Sequence, residues 1–177
     1  MKIDRHKVYQ SHGTGRFDRT DFKFLGENVI FEEGVLVFHP EKIKIGNNVY
    51  IGHNTILKGY YRNEMVIDDH TWIGQGCFFH SAGGIRIGKA VGIGPMVKIL
   101  TSSHGELEFD IPVMYNELEC SEVVLEDGCD VGVGSIILPG NTVGEGSIIG
   151  AGSVVTRDIP PYHVVSGVPA KIMRKRK

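Results

Sequence analysis

Aliphatic positions recur every sixth residue through 125–160, which divides as LEDGCD, VGVGSI, ILPGNT, VGEGSI, IGAGSV and VTRDIP. Each block opens on Leu125, Val131, Ile137, Val143, Ile149 or Val155, and most place a small residue fifth: Cys129, Ser135, Ser147, Ser153. Asn141 and Ile159 are the exceptions in that slot. A six-residue period fits neither the turn of an α-helix nor the alternation of a simple strand, so it predicts a coiled parallel β-structure of short strands and turns. The first and fifth residues would face a narrow interior that takes one bulky and one small side chain. Gly, Asn or Asp in the remaining slots would turn the corners at positive φ. Three blocks close one triangular coil, and coils stack at the inter-strand spacing of roughly 4.8 Å.

The same phase runs back to Leu25, with coils opening at Leu25, Ile45, Ile67, Ile87, Leu125 and Val143. Extra residues (43–44, 63–66, 85–86 and the long stretch 105–124) always follow a third block, which puts every interruption at one corner of a three-sided column. The prediction is an all-β domain over 25–160 of about six triangular coils, with a loop, 105–124, projecting after the fourth. Residues 1–24 carry no period and read as an N-terminal arm that covers the open end of the stack or touches a neighbouring subunit, with acceptor binding as the alternative. Residues 161–177 form a short C-terminal turn and basic tail, with 175–177 frayed. A loop this long in a compact repeat is a place to look for function.

Composition narrows the classes. The 177 residues fit one domain, 24 glycines suit a turn-rich repeat, and 41% hydrophobic residues exclude wholesale disorder. A formal net charge of −2 makes no case for nucleic acid or an anionic membrane. No run is apolar enough to span a bilayer, and the charged first ten residues do not read as a secretory signal, so a cytoplasmic location is expected. Cys77 and Cys129 fall in the small inward slot and read as packing thiols; Cys120 reads as a loop residue.

The repeat, the segment IRIGKAVGIGPMVKILTSSH followed by a loop, and the ending GAGSVVTRDIPPYHVVSGVPAKIMR together resemble the hexapeptide-repeat acyltransferases, in particular the sugar O-acetyltransferases. The resemblance implies a left-handed β-helix, against the usual right-handed crossover, and a homotrimer with active sites between subunits. It also implies acetyl-CoA as co-substrate, no metal, and a sugar or polysaccharide precursor as acceptor. His104, just before the loop, matches the general base, since a neutral imidazole can take the proton of an attacking hydroxyl. The Val133 N–H matches the oxyanion donor. For the CoA, Ala151 would offer an N–H to the pantetheine, Thr156 and Arg157 would edge the adenine, and Lys171 with Arg174 would meet the 3′-phosphate.

Departures from the family pattern bear on the acceptor. Asp130 stands where galactoside acetyltransferase has tryptophan, and Gly74 and Ala82 replace its acceptor-binding asparagine and aspartate, which argues against galactoside or maltose. The stretch TWIGQGCFFHSAGGIRIG looks closer to enzymes that decorate surface polysaccharide. Trp72, Asp130 and His80 are therefore the candidate acceptor contacts, and Glu106, Glu108 and Asp110 could orient His104. Acylation of an amino sugar, a nucleotide-linked amino sugar or a xenobiotic is the alternative. A γ-type carbonic anhydrase shares the fold but needs two zinc-binding histidines five positions apart. No pair among His6, His12, His39, His53, His70, His80, His104 and His163 has that spacing. A non-catalytic scaffold is the remaining reading.

Overall fold

The computed structural model describes residues 11–105 and 111–177 of the chain. It is a left-handed β-helix of about seven turns whose three faces are parallel sheets. The first face holds Phe24–Leu25, Ile43–Ile45, Met65–Ile67, Ile85–Ile87, Val123–Leu125 and Thr142–Val143. Ile30–Phe31, Tyr50–Ile51, Trp72–Ile73, Gly92–Ile93, Asp130–Val131 and Ile148–Ile149 make the second. The third comprises Leu36–Phe38, Ile56–Lys58, Phe78–His80, Lys98–Leu100, Ile136–Ile137 and Val154–Val155.

The register confirms the six coil openings. Leu25, Ile45, Ile67, Ile87, Leu125 and Val143 stand one above another in a single ladder. Cys129, Ser135, Ser147 and Ser153 are buried in the fifth slot as expected, and Asn141 is buried there too. Burial pushes the Cys77 and Cys129 thiols up to about 11 and about 12, which keeps both as neutral packing groups.

Two features differ from the sequence expectation. Residues read as interruptions partly join the column: Ile43, Met65, Ile85 and Val123 each start a three-residue strand and point inward. A strand alternates sides every residue, so an aliphatic residue two positions before the coil opener reaches the core wherever the corner is long enough. The coils also continue past Pro160. Ile159 bridges Val143, Val165 lies in register with Ile149, and Ala170 is buried, forming a partial seventh turn. Ile159 is thus not a bulky residue in the small slot but the opener of a further coil, reached early because the corner before it is short. The chain then folds back as an antiparallel pair, His163–Ser166 with Lys171–Lys175. Arg176 in the expected frayed tail is tied down, donating from its guanidinium to the Gly146 carbonyl and from its N–H to Tyr162 O at 2.7 Å.

At the other end, Phe17 and Phe22 meet edge to face at 5.5 Å and both pack on Phe31. Upstream, the Gly15 carbonyl accepts from Val37 N–H at 2.8 Å. The described part of the arm therefore covers the first coil and runs beside the third face.

Candidate functional site

After Thr101 the chain leaves the column at the corner between the third and first faces. Ser102–His104 runs outward and pairs antiparallel with Leu118–Cys120, which places Leu118 opposite His104. Cys120 thus lies on a strand rather than in irregular loop. The loop between these strands includes Glu106, Glu108 and Asp110, which lie outside the described residues.

His104 is exposed, and its Nδ1 sits 3.2 Å from the Asn116 carbonyl. A carbonyl only accepts, so this contact keeps the ring proton on Nδ1 and leaves the Nε2 lone pair outward. Asn116 is buried and donates its Nδ2 to the Gly105 carbonyl at 2.7 Å, closing the neck of the projecting arm. Nothing in the sequence distinguished Asn116 from other polar loop residues. Its role comes from a contact across the hairpin.

His80 ends the strand Phe78–His80 on the third face, beside that arm. Its Nδ1 lies 3.3 Å from Ser102 Oγ, and Tyr60 meets the ring edge to face at 5.9 Å. Burial, then the neighbouring charges of Lys58 and His12, holds the imidazole below its usual proton affinity.

The other two acceptor candidates lie elsewhere. Trp72, Gly92 and Asp130 share one ladder of the second face, and Trp72 stacks nearly parallel on Tyr50 with ring centroids 5.7 Å apart. The structure therefore separates Trp72 and Asp130 from His80, which alone of the three adjoins the His104 hairpin.

Val133 and Ala151 occupy equivalent turns between the second and third faces, one coil apart. Neither N–H donates a hydrogen bond among the described residues. On one chain they lie across the width of the third face from the corner that carries His104. Thr156 and Arg157 follow the last strand of the third face. Arg157 lines a cleft of about 150 Å³ with Asp158, Ala170 and Lys171, so the arginine expected at the adenine edge and one of the two cations expected at the 3′-phosphate share one opening. Arg174 lies opposite Val164, further along the C-terminal strand pair.

Among the described residues, no helix is long and apolar enough to cross a membrane, and no three His, Cys, Asp or Glu side chains group as a metal site.

No family model matches the chain. Galactoside O-acetyltransferase of Escherichia coli is 32% identical over 159 residues, covering 87% of this chain and 64% of the relative. The chain spans only 66% and 64% of the first two curated relatives it matches. The dTDP-4-amino-4,6-dideoxy-D-glucose acyltransferase of Escherichia coli is 30% identical, covering 88% of this chain and 83% of the relative. Among solved structures, a variant of the N-acyltransferase AntD from Bacillus cereus, in complex with dTDP-4-amino-4,6-dideoxyglucose and coenzyme A, superposes with TM-score 0.79. It is 25% identical and covers 90% of this chain and 86% of its own. A hexapeptide-repeat acetyltransferase from Vibrio cholerae complexed with acetyl-CoA gives TM-score 0.63 at 28% identity, covering 90% of this chain and 74% of its own. Register, fold and these relatives agree, and the chain belongs to the hexapeptide-repeat acyltransferase family.

Proposed function

We propose that the protein transfers an acetyl group from acetyl-CoA to a hydroxyl of a sugar or polysaccharide precursor, with His104 as general base. The observation that carries this reading is the Nδ1 contact of His104 with the Asn116 carbonyl, which leaves an outward Nε2 as proton acceptor at the one heavily interrupted corner. In the step, the hydroxyl oxygen bonds to the thioester carbonyl carbon while its proton passes to Nε2. The C–S bond then breaks, and the proton leaves on the CoA thiol. Donors aimed at the developing oxyanion lower the barrier, and the Val133 N–H, without a partner among the described residues, fits that task. The Ala151 N–H suits the pantetheine amide, and Thr156, Arg157, Lys171 and Arg174 suit the adenine and 3′-phosphate end. Residues 25–160 would then be the catalytic domain and 161–177 the CoA-binding turn.

His104 and Val133 stand at different corners of one chain, so a site containing both needs a second copy. A homotrimer supplies one, and it would cover apolar side chains now exposed on the arm (Val113, Leu118) and at the opposite corner (Met96, Val133). A cytoplasmic location follows from the donor.

Acylation of an amine is the second reading, favoured by the nucleotide-linked amino sugar bound in the AntD structure. A CoA-release screen over sugars, amino sugars and nucleotide sugars decides between them. His104→Ala should lose about 10²- to 10⁴-fold in turnover while remaining folded and trimeric. Turnover equal to the parent's would remove His104 from the reaction. Failure of acetyl-CoA to bind or to raise the thermal midpoint would leave a scaffold, and stoichiometric zinc would revive the anhydrase.

A further inference from the structure

On the third face, beside the hairpin that bears His104, three basic groups converge from three separate segments. Lys58 and His80 are register neighbours on adjacent strands. His12 belongs to the N-terminal arm, which is held beside this face by the Val37 N–H bond to the Gly15 carbonyl, and it bears electrostatically on the His80 ring. The neutral groups around them are Ser102 and Tyr60. None of the three basic residues has a carboxylate partner among the described residues, whereas Lys23, Lys44 and Arg86 on the first face are paired with Glu64 or Glu122. Burial and the nearby Lys58 charge both disfavour a protonated His80, and that cost is relieved when an anion joins them.

The hairpin ties this cluster to His104. Alternate residues of a strand point to one side, so His104 projects from the same side of Ser102–His104 as Ser102, whose hydroxyl meets His80. Two residues of strand span about 7 Å, roughly the reach of one pyranose ring. The base and the basic cluster therefore border one space between the arm and the third face.

We propose that this cluster is an anion subsite for the acceptor: the sugar presents its nucleophile to His104 while a phosphate or carboxylate on the same molecule lies against Lys58, His80 and His12. The inference rests on the acyl-transfer reading. It names the acceptor class as an anionic sugar, either a glycosyl phosphate or nucleoside diphosphate sugar on one side, or a uronic acid on the other.

The test compares KM values in the CoA-release assay for a methyl hexoside, a hexose 1-phosphate, a nucleoside diphosphate hexose and a methyl hexuronide. One anionic class should have a KM at least about tenfold below the neutral glycoside. Lys58→Ala and His80→Gln should each raise that KM by about tenfold, leaving the KM for acetyl-CoA unchanged. The preferred class identifies the anion. Equal KM for neutral and anionic acceptors overturns the subsite and leaves acyl transfer standing. If no acceptor releases CoA, the reaction assignment falls, and imidazole NMR decides the subsite by itself. The His80 ring should then titrate at higher pH in the presence of hexose 1-phosphate or hexuronide, and an unmoved titration with both overturns the proposal.

Discussion

In the two coils that follow the projecting arm, Gly128, Gly134, Gly146 and Gly152 turn the first two corners at positive φ. In the four coils before it, the same slots hold Asn28, Asn48, Asn54, His70, Ala90 and Met96 beside only Gly34 and Gly76. The interiors hardly differ: aliphatic openers are buried throughout, apart from half-buried Leu25 and Phe31 at the covered end. A uniform core can thus be wrapped in two kinds of perimeter. In the earlier coils side chains partly repay the left-handed turns, as Asn28 donates to Asn48 at 2.6 Å and Asn48 donates to the His70 ring at 3.0 Å. The candidate base and the Lys58–His80 pair belong to the irregular coils and the arm that follows them, whereas the candidate CoA contacts Val133 and Ala151 sit on the glycine-turned corners.

This division of labour predicts separable effects. The largest is on turnover: His104→Ala should remove about 10²- to 10⁴-fold of activity and shift stability by no more than about 0.5 kcal/mol, since an exposed side chain is lost. Ile93→Ala, inside the fourth coil, should do the reverse. It should cost about 2–5 kcal/mol, read as a fall in thermal midpoint of about 2–4 °C per kcal/mol, with the KM for acetyl-CoA unchanged in the folded fraction. If both variants lost activity and stability together, perimeter and core would not be separable.

A smaller effect tests the corners. Ala90 holds φ 54 with a methyl group that can make no compensating side-chain hydrogen bond, and glycine would keep its N–H bond to the Asp69 carbonyl, so Ala90→Gly should stabilise by about 0.5–1 kcal/mol in urea melts. Asn48→Gly relieves a similar φ but breaks both ladder bonds, and should give no gain. Smallest of all is the pH response of the first face. Lys23 and Lys44 hold the Glu64 carboxyl at about 2, below its ordinary 4.5. A depressed carboxylate stabilises when ionised, so its contribution is present above about pH 4.5 and fades as pH falls toward 2. The urea midpoint of Glu64→Gln should lie slightly below the parent's at pH 6, and the two should converge near pH 2.

Much of this organisation was legible before any coordinates. All six openers from Leu25 to Val143 fall in one ladder, and both inward cysteines are buried. Family resemblance pointed to His104, and the corner it occupies follows from where the insertions fall. Three things were not legible. Ile43, Met65, Ile85 and Val123 looked like spacer, because whether a residue ahead of the opener turns inward depends on the corner's path. Ile159 looked out of place, because the shortened corner before it shifts the count. Asn116 looked ordinary, because its partners belong to the opposite strand of the hairpin.

The sequence by itself determined the column: a slot that is bulky, a slot that is small and turns that admit positive φ leave the chain few other ways to bury its aliphatic residues. Only the tertiary structure decided what the outward slots do, because neighbours on a face are separated by a full coil plus an insertion of variable length. His12, Lys58, His80 and Ser102 come together for that reason alone. The repeat relates Lys58 to His80 but neither His12 nor Ser102 to them, and the four are brought near one another only once the coils are stacked and the arm is laid along the third face.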